Sequence, residues 1–336
     1  MPAALSTTAA ALPELTVSTF LGAWQLDGVA LAAVVLLGGL YVAGVRRHRR
    51  AGGRWPAART TAFLVLGLGA IVVATMSGLA VYGRVLFWPA AVQNIVLDLI
   101  APLGLALGDP LALAAPDGPL HGVLTGRVVR LLTYPLVSSA AVLGSELTIY
   151  FTPYFETALR HDAVRQLMHL QLLLTGCLFV LPMLTHQELL PRWCTHPVRA
   201  ALVFLDGLFD SLPGIVVMTS GTLVAGHWYA SQPRTWGPTL QQDQLIGGGL
   251  MLTLAELVGL PFLIAVFAQW WRTDRAKTAE LDARLDQELL PAPATTTTPA
   301  PTSASARESV PAVPEMTRPW WETDSGEVGQ RMRRRS

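Results

Sequence analysis

Seven long apolar stretches, separated by short polar segments, dominate the chain up to residue 271. Each is close to the roughly 20 residues that an α-helix needs to cross a bilayer. Most are apolar on all sides, which is typical of membrane helices and too long for strands. The pattern predicts an all-α, polytopic membrane bundle of about seven transmembrane helices. The predicted spans are 26–45, 61–82, 85–107, 131–150, 164–184, 200–224 and 245–271.

Composition supports the membrane prediction. Hydrophobic residues make up 51% of the chain and charged residues 14%, whereas soluble domains carry about 25% charged residues. The charge is also concentrated, because 20 of the 47 charged residues lie in 272–336. These figures exclude a soluble enzyme and make the lipid bilayer the expected surrounding. The formal net charge of +1 argues against nucleic acid as a partner.

Basic residues indicate the orientation, because they favour the cytoplasmic side of a membrane. Twenty of the 24 Lys and Arg residues fall on one predicted side, and the other side holds Arg84, Arg160, Arg165 and Arg234. This predicts an outside N-terminus and a cytoplasmic C-terminus in a multi-pass protein of the cell (plasma) membrane. The predicted segments are an external segment 1–25, a seven-helix membrane domain 26–271, a charged cytoplasmic helix 272–290 and a disordered cytoplasmic tail 291–336 rich in Pro, Thr and Ala.

Polar side chains at membrane depth are costly and are therefore candidates for function. Asn94, Glu146, His169 and Met218 are expected in the outer half of the bundle. Imidazole and thioether groups suit copper, and thioether favours Cu(I). These four residues are the candidate metal ligands, with copper as the candidate metal. The competing interpretation is that His169 only joins neighbouring helices and that Met218 only fills the core.

Three acids, Asp98, Asp210 and Glu256, are expected near mid-membrane on three different helices. They cannot all be ionised together in a low dielectric without a cation. They would share protons, pair with Arg or bind metal. A purely structural role, in which some of them cap or pair helices, stays open.

Aromatic side chains near the predicted helix ends are typical of membrane interfaces. This group is expected to anchor the bundle at the two surfaces of the bilayer. Its members are Trp88, Tyr150, Trp228, Tyr229, Trp236 and Trp270.

The sequence carries no enzyme signature that we recognise: it has no P-loop, G-x-S-x-G, H-E-x-x-H or C-x-x-C motif. The glycines 247–249 open a membrane helix, so close helix packing explains them better than phosphate binding. Cys177 and Cys194 offer neither a disulfide framework nor zinc spacing. We therefore expect no catalytic site.

Four segments carry a family resemblance by their order and spacing. They are IAPLGLALGDPLAL (100–113), SELTIYFTPYFETALRHDAVRQLMHLQLLLTGCLFVLPML (145–184), LDGLFDSLPGIVVM (205–218) and DQLIGGGLMLTLAELVGLPFLIAVFAQWWRTD (243–274). Together they resemble the CtaG family of bacterial cytochrome c oxidase assembly factors, in its actinobacterial style, over about 60–290. The resemblance implies an integral membrane protein that helps to mature a haem–copper oxidase, with cytochrome c oxidase subunits as partners.

The histidines depart from the family pattern. Members often carry a His pair on the third helix, where this chain has Ala90 and Asn94, and several His at the start of the fifth helix, where it keeps His169 between Arg165 and Gln171. The acids of the matching region are retained. The leading hypothesis is thus an assembly factor that chaperones or copper-loads the haem–copper subunit. Two alternatives stay open: a copper or proton transporter, and a metal-free membrane scaffold or interaction protein.

Overall fold

The computed structural model describes residues 12–113, 131–132, 134–184 and 196–289. Within these ranges the chain forms helices and no strands, which confirms the all-α prediction. Cys194 and the predicted tail 291–336 lie outside them. The chain divides into two compact units, Met1–Glu280 and Leu281–Ser336. The second unit is described only over 281–289, which is helical.

Ten helices are numbered in chain order over the described ranges, two of them composite, and a short 3-10 helix, Pro110–Leu113, stays unnumbered. The third, Ala57–Tyr82, is interrupted at Ser77 and contains a π-helical stretch, Ala62–Leu68; the fourth, Phe87–Leu107, contains a π-helical turn, Val96–Ile100. The full set is α1 (Val17–Gly22), α2 (Gly28–Arg50), α3 (Ala57–Tyr82), α4 (Phe87–Leu107), α5 (Pro135–Phe151), α6 (Tyr154–Arg160), α7 (Asp162–Leu184), α8 (His196–Thr219), α9 (Gly226–Ala230) and α10 (Leu240–Leu289).

Each of the seven predicted spans overlaps a helix, although α5 begins only at Pro135 and α8 ends at Thr219. Six of these, α2, α3, α4, α7, α8 and α10, contain stretches long and apolar enough to cross a membrane. The helix in the fourth predicted span, α5, has 17 residues and is therefore about 25 Å long, slightly less than the roughly 30 Å hydrocarbon core. Seven crossings and the orientation of the termini therefore stay predictions.

Large apolar side chains cover the outside of the bundle. On α2, for example, Val35 is 65% exposed and Leu40 is 63% exposed. Soluble proteins rarely expose contiguous apolar patches of this kind, whereas a lipid environment accepts them. The exposed faces support the assignment of these helices to a membrane.

Polar caps fix where several helices begin. The Asp27 carboxylate accepts hydrogen bonds from the backbone N–H groups of Val29 and Ala30, both at 3.0 Å, at the start of α2. The start of α4 is capped by a side chain from another helix. Asp243 of α10, only 1% exposed, accepts from the backbone N–H groups of Phe87 at 2.8 Å and Trp88 at 3.0 Å. These donors have no partner within their own helix, so Asp243 both satisfies them and joins α10 to α4.

Glycine allows α7 to lie directly on α4. A Cβ atom added to Gly176 would lie 1.9 Å from the backbone oxygen of Asp98. No side chain fits there, so the helices touch backbone to backbone, as small residues permit in membrane bundles. The contact falls on the π-helical turn Val96–Ile100, which carries the Asp98 side chain to the α7 interface.

Replacing Gly176 by Ala is expected to push α7 away from α4. Overpacking of this kind costs roughly 1–3 kcal/mol, so the free energy of unfolding in mild detergent should fall by about that amount. Gly144 on α5 is the matched control, because a Cβ atom there meets nothing within 4 Å. Gly144→Ala should be neutral or stabilising by up to about 1 kcal/mol. Equal destabilisation by the two variants would contradict the close contact.

Replacing Asp243 by Ala is expected to leave the backbone donors of Phe87 and Trp88, one buried and one half-buried, without an acceptor. The expected loss in the free energy of unfolding is about 1–3 kcal/mol, measured by the same detergent titration. Asp274→Ala, at an exposed position of the same helix, should have no measurable effect. If Asp243→Ala unfolds like the wild type, the capping role is wrong.

Candidate functional site

A set of polar side chains lies between α4, α5 and α7, and we call it the polar seam. Each pair of these three helices is linked by at least one hydrogen bond between seam side chains. Its members are Gln93, Asn94 and Asp98 on α4, Ser145, Glu146 and Tyr150 on α5, and His169, Gln171 and Thr175 on α7.

Two contacts join α4 to α7. The Gln93 amide Nε2 lies 3.3 Å from the His169 ring Nε2, and the Thr175 hydroxyl donates to the Asp98 carboxylate at 3.2 Å. On α4, Asp98 lies about one helical turn beyond Gln93 and Asn94, so these residues face the same interface. Asp98 of α4 is therefore bonded to α7, and His169 of α7 is bonded to α4.

The remaining contacts bring in α5. The Asn94 amide donates to the Tyr150 hydroxyl at 3.1 Å, and the Gln171 amide donates to the Ser145 hydroxyl at 2.8 Å. Tyr150 is buried, so it serves as a hydrogen-bond partner inside the bundle and not as an exposed interfacial anchor. Its position at a helix end gave the interfacial prediction, which burial now corrects.

Two carboxylates lie within the seam. Asp98 is 6% exposed and Glu146 is 2% exposed, and both interact electrostatically with the Tyr150 hydroxyl. In a dry environment such interactions are much stronger than in water. The seam therefore combines two buried acids, an imidazole and several neutral hydrogen-bonding groups.

A small cavity of about 20 Å³ adjoins His169. Gln93, Asn94 and Met168 help to line it, and this volume is enough for one water molecule. The Nδ1 atom of His169 is buried and makes no hydrogen bond within the described part of the chain. With the Gln93 amide donating to Nε2, the ring proton sits on Nδ1. Nδ1 is then a donor that a water or another acceptor in the cavity would satisfy.

Two guanidinium groups stand beside the same cavity. Arg84 and Arg165 both line it, and both bind the same oxygen of Asp162, at 3.1 and 3.0 Å. A second carboxylate, that of Asp27, also interacts electrostatically with Arg165 and His169. The two guanidiniums are therefore offset by two carboxylates.

The other predicted site residues lie elsewhere. Glu256 on α10 is exposed and accepts a hydrogen bond from Ser211 of α8 at 3.2 Å, while the side chain of Asp210 lies outside the described residues. Met218 packs near Gly248 and Gly249, and the thioether at the His169 cavity belongs to Met168. Of the seven predicted residues, the seam brings together four: Asn94, Asp98, Glu146 and His169.

Sequence reasoning missed several partners. Gln171 and Thr175 are four residues apart on α7, so a search for polar pairs at helical spacing could have found them. Arg84 and Asp243 had no comparable signal, because their partners are 78 and more than 150 positions away in the chain. Long-range polar contacts of this kind leave no local periodicity.

Metal ligation finds limited support in this arrangement. Within the described ranges, no three His, Cys, Asp or Glu side chains form a group that could hold a metal ion. A metal at Nδ1 of His169 would need the Gln93 amide to turn over, so that its oxygen accepts a proton from Nε2. The geometry thus offers one imidazole nitrogen with the Met168 thioether nearby.

A double-mutant cycle tests the seam. Asn94→Leu and Tyr150→Phe should each destabilise the protein, and their effects should be less than additive by about 0.6 kcal/mol, at most about 1.7, which is the range measured for hydrogen bonds between membrane helices. The measurement is the free energy of unfolding in detergent. Asn94→Leu paired with Ser211→Ala, whose partner is on α10, serves as the control cycle. Strict additivity in the first cycle would contradict the Asn94–Tyr150 bond.

Similar proteins are found over most of the chain. An uncharacterized protein of Mycobacterium bovis and one of Mycobacterium tuberculosis are each 30% identical over 286 residues, covering 81% of this chain and 43% of the relative. One of Mycobacterium leprae is 30% identical over 280 residues, covering 80% and 42%. The chain therefore spans less than half the length of these curated relatives. No solved structure matches significantly.

The family comparison covers most of the predicted membrane domain, including all of the seam. The family model described as cytochrome c oxidase caa3 assembly factor (Caa3_CtaG) matches residues 39–273. The description names an assembly factor and no catalysed reaction. The predicted resemblance is thereby confirmed, and the chain belongs to the CtaG family of cytochrome c oxidase assembly factors.

Proposed function

We propose that this protein, in the plasma membrane, assists maturation of the haem–copper subunit of cytochrome c oxidase, by chaperoning it or loading its copper. Family membership over residues 39–273 supports the oxidase as the client. The single structural observation that carries the proposal is the polar seam, with His169 hydrogen-bonded to Gln93 at 3.3 Å inside an otherwise apolar bundle. Polar groups at such depth are costly and mark functional sites in membrane proteins.

Copper would be a transient cargo in this proposal. His169 is the candidate ligand, and Met168 supplies the thioether at the same cavity. A soft, low-coordinate Cu(I) ion suits these two donors. Glu146 and Asn94 remain candidate neighbours through the seam, and Met218 remains a candidate ligand on α8. A set of one imidazole and one thioether fits brief handling of copper better than storage.

A proton-transfer role is the second candidate. Asp98, Glu146 and Tyr150 interact electrostatically, and Thr175 extends the chain of polar groups along α7. Such chains of acids and hydroxyls occur in membrane proton pathways. Proton uptake by protein-containing liposomes distinguishes this role, and a metal-free scaffold would show neither proton nor copper activity.

Deleting the gene in the source organism is expected to remove most of the oxidase haem signal from the reduced-minus-oxidised spectrum of its membranes. Wild-type protein should restore both the haem signal and the copper content per haem. His169→Ala should restore the subunit with less copper, because the candidate ligand is missing. The measurement combines the spectrum with metal analysis of the purified oxidase.

The matched control is His161→Ala, an exposed histidine just before the same helix, which should behave as the wild type. Immunoblotting checks that each variant accumulates equally. A normal, copper-replete oxidase in the deletion strain would refute the assembly role. Equal copper in oxidase matured by the His169 variant and by the wild type would refute the ligand role alone.

A further inference from the structure

A second, much larger cavity lies beside the loops that join α3 to α4 and α9 to α10, and we call it the mouth cavity. Its volume is about 390 Å³, which falls in the range of roughly 300–1,000 Å³ typical of small-molecule sites. Six of its lining residues carry polar or aromatic side chains: Gln25, Arg84, Trp228, Gln232, Arg234 and Trp236.

Hydrogen bonds hold the walls of the mouth cavity in place. The Trp228 indole donates to the backbone oxygen of Arg84 at 2.8 Å, and the Trp236 indole donates to the backbone oxygen of Leu12 at 3.0 Å. Behind them, the Tyr229 hydroxyl donates to the backbone oxygen of Gly83 at 3.0 Å. Burial raises the pKa of the Tyr229 phenol well above its usual range, so it stays a donor. These bonds fix the positions of Trp228, Trp236 and Tyr229 around the cavity.

The charged groups at the mouth cavity are cationic. Arg84 pairs through one Nη atom with Asp162, which is 77% exposed and also pairs with Arg165. The Nε atom of Arg84 is buried and makes no hydrogen bond within the described ranges. Arg234 donates to the backbone oxygens of Trp236 and Pro238, and its nearest carboxylate, Asp243, is 3.9 Å away. Neutral side-chain donors, Gln25 and Gln232, complete the polar lining.

The rest of the wall is apolar and aromatic. Trp228 and Trp236 were expected at a membrane interface, where the headgroups of lipids meet their chains. An aromatic wall beside guanidinium groups fits a molecule with one anionic end and one apolar end. Guanidinium groups bind phosphate and carboxylate through several parallel hydrogen bonds.

We propose that the mouth cavity binds an amphiphilic anion, a phosphate or carboxylate head with an apolar chain, and that Arg84 is the main anion-binding residue. Arg84 also lines the small cavity at His169, so the bound head would lie next to the polar seam. The site is independent of the proposed role in oxidase maturation, because it requires neither copper nor an oxidase subunit.

Dodecyl phosphate is the probe, titrated into the full-length protein in phosphatidylcholine nanodiscs, with empty nanodiscs subtracted. Saturable change in tryptophan emission is expected, because two indoles line the cavity. Arg84→Gln should raise the Kd by about tenfold or more, since a hydrogen bond to a charged group contributes roughly 1.5–3 kcal/mol. Arg84→Lys should lose less affinity, because it keeps the charge. Arg46→Gln, near the C-terminal end of α2, is the control and should leave the Kd unchanged.

Comparison probes separate the features of the ligand. Dodecyltrimethylammonium tests the charge, and inorganic phosphate tests the chain; both should bind far more weakly. Adding phosphatidylglycerol to the nanodiscs distinguishes the source of the natural ligand. Weaker binding of dodecyl phosphate would indicate a membrane lipid, and unchanged binding would indicate a free amphiphile. Either result supports the site. The proposal would be overturned if the ammonium probe or inorganic phosphate bound as tightly as dodecyl phosphate. It would also be overturned if Arg84→Gln and Arg46→Gln, both with unchanged melting temperature, gave equal Kd values.

Discussion

The structure depends on one constraint: polar groups inside an apolar bundle need partners within the protein. Hydrocarbon offers no hydrogen bonds, so an unsatisfied buried group costs several kcal/mol. The polar seam meets this constraint by linking α4, α5 and α7 pairwise through side-chain hydrogen bonds. It fixes the relative positions of the three helices and, with them, the surroundings of His169. The Nδ1 of His169 makes no hydrogen bond within the described ranges, as is also true of the Nε of Arg84, and an acceptor in the adjoining cavity would satisfy it.

Close backbone contact makes the seam possible. Gly176 lets α7 approach the π-helical turn that carries Asp98, which brings the Thr175 hydroxyl within reach of the Asp98 carboxylate. At the N-terminal end of α4, the first backbone N–H groups donate to Asp243, which lies on α10. Packing and polar pairing therefore act together, and loss of either would shift the candidate site.

The sequence predicts the helices well because the hydropathy signal is local and strong. It also predicts that Asn94, Asp98, Glu146 and His169 are unusual, since each interrupts an apolar run. It does not predict their partners, because contacts such as Asn94–Tyr150 join residues 56 positions apart. The π-helical turn Val96–Ile100, which carries Asp98 at the α7 interface, likewise has no sequence period of its own. Depth estimates alone grouped Met218 with His169, whereas the structure places Met168 at that cavity.

Family membership and the seam together support a protein that prepares the oxidase and does not catalyse its reaction. The most direct test of this account is the rate of oxygen consumption per haem by the oxidase in isolated membranes. The rate is compared between a strain carrying Gln93→Leu and one carrying Ser211→Ala. Ser211→Ala is the control, because it alters a polar contact between α8 and α10. Both variants should accumulate normally. The account predicts a lower rate per haem with Gln93→Leu and an unchanged rate with Ser211→Ala. Wild-type rates in both strains would contradict it.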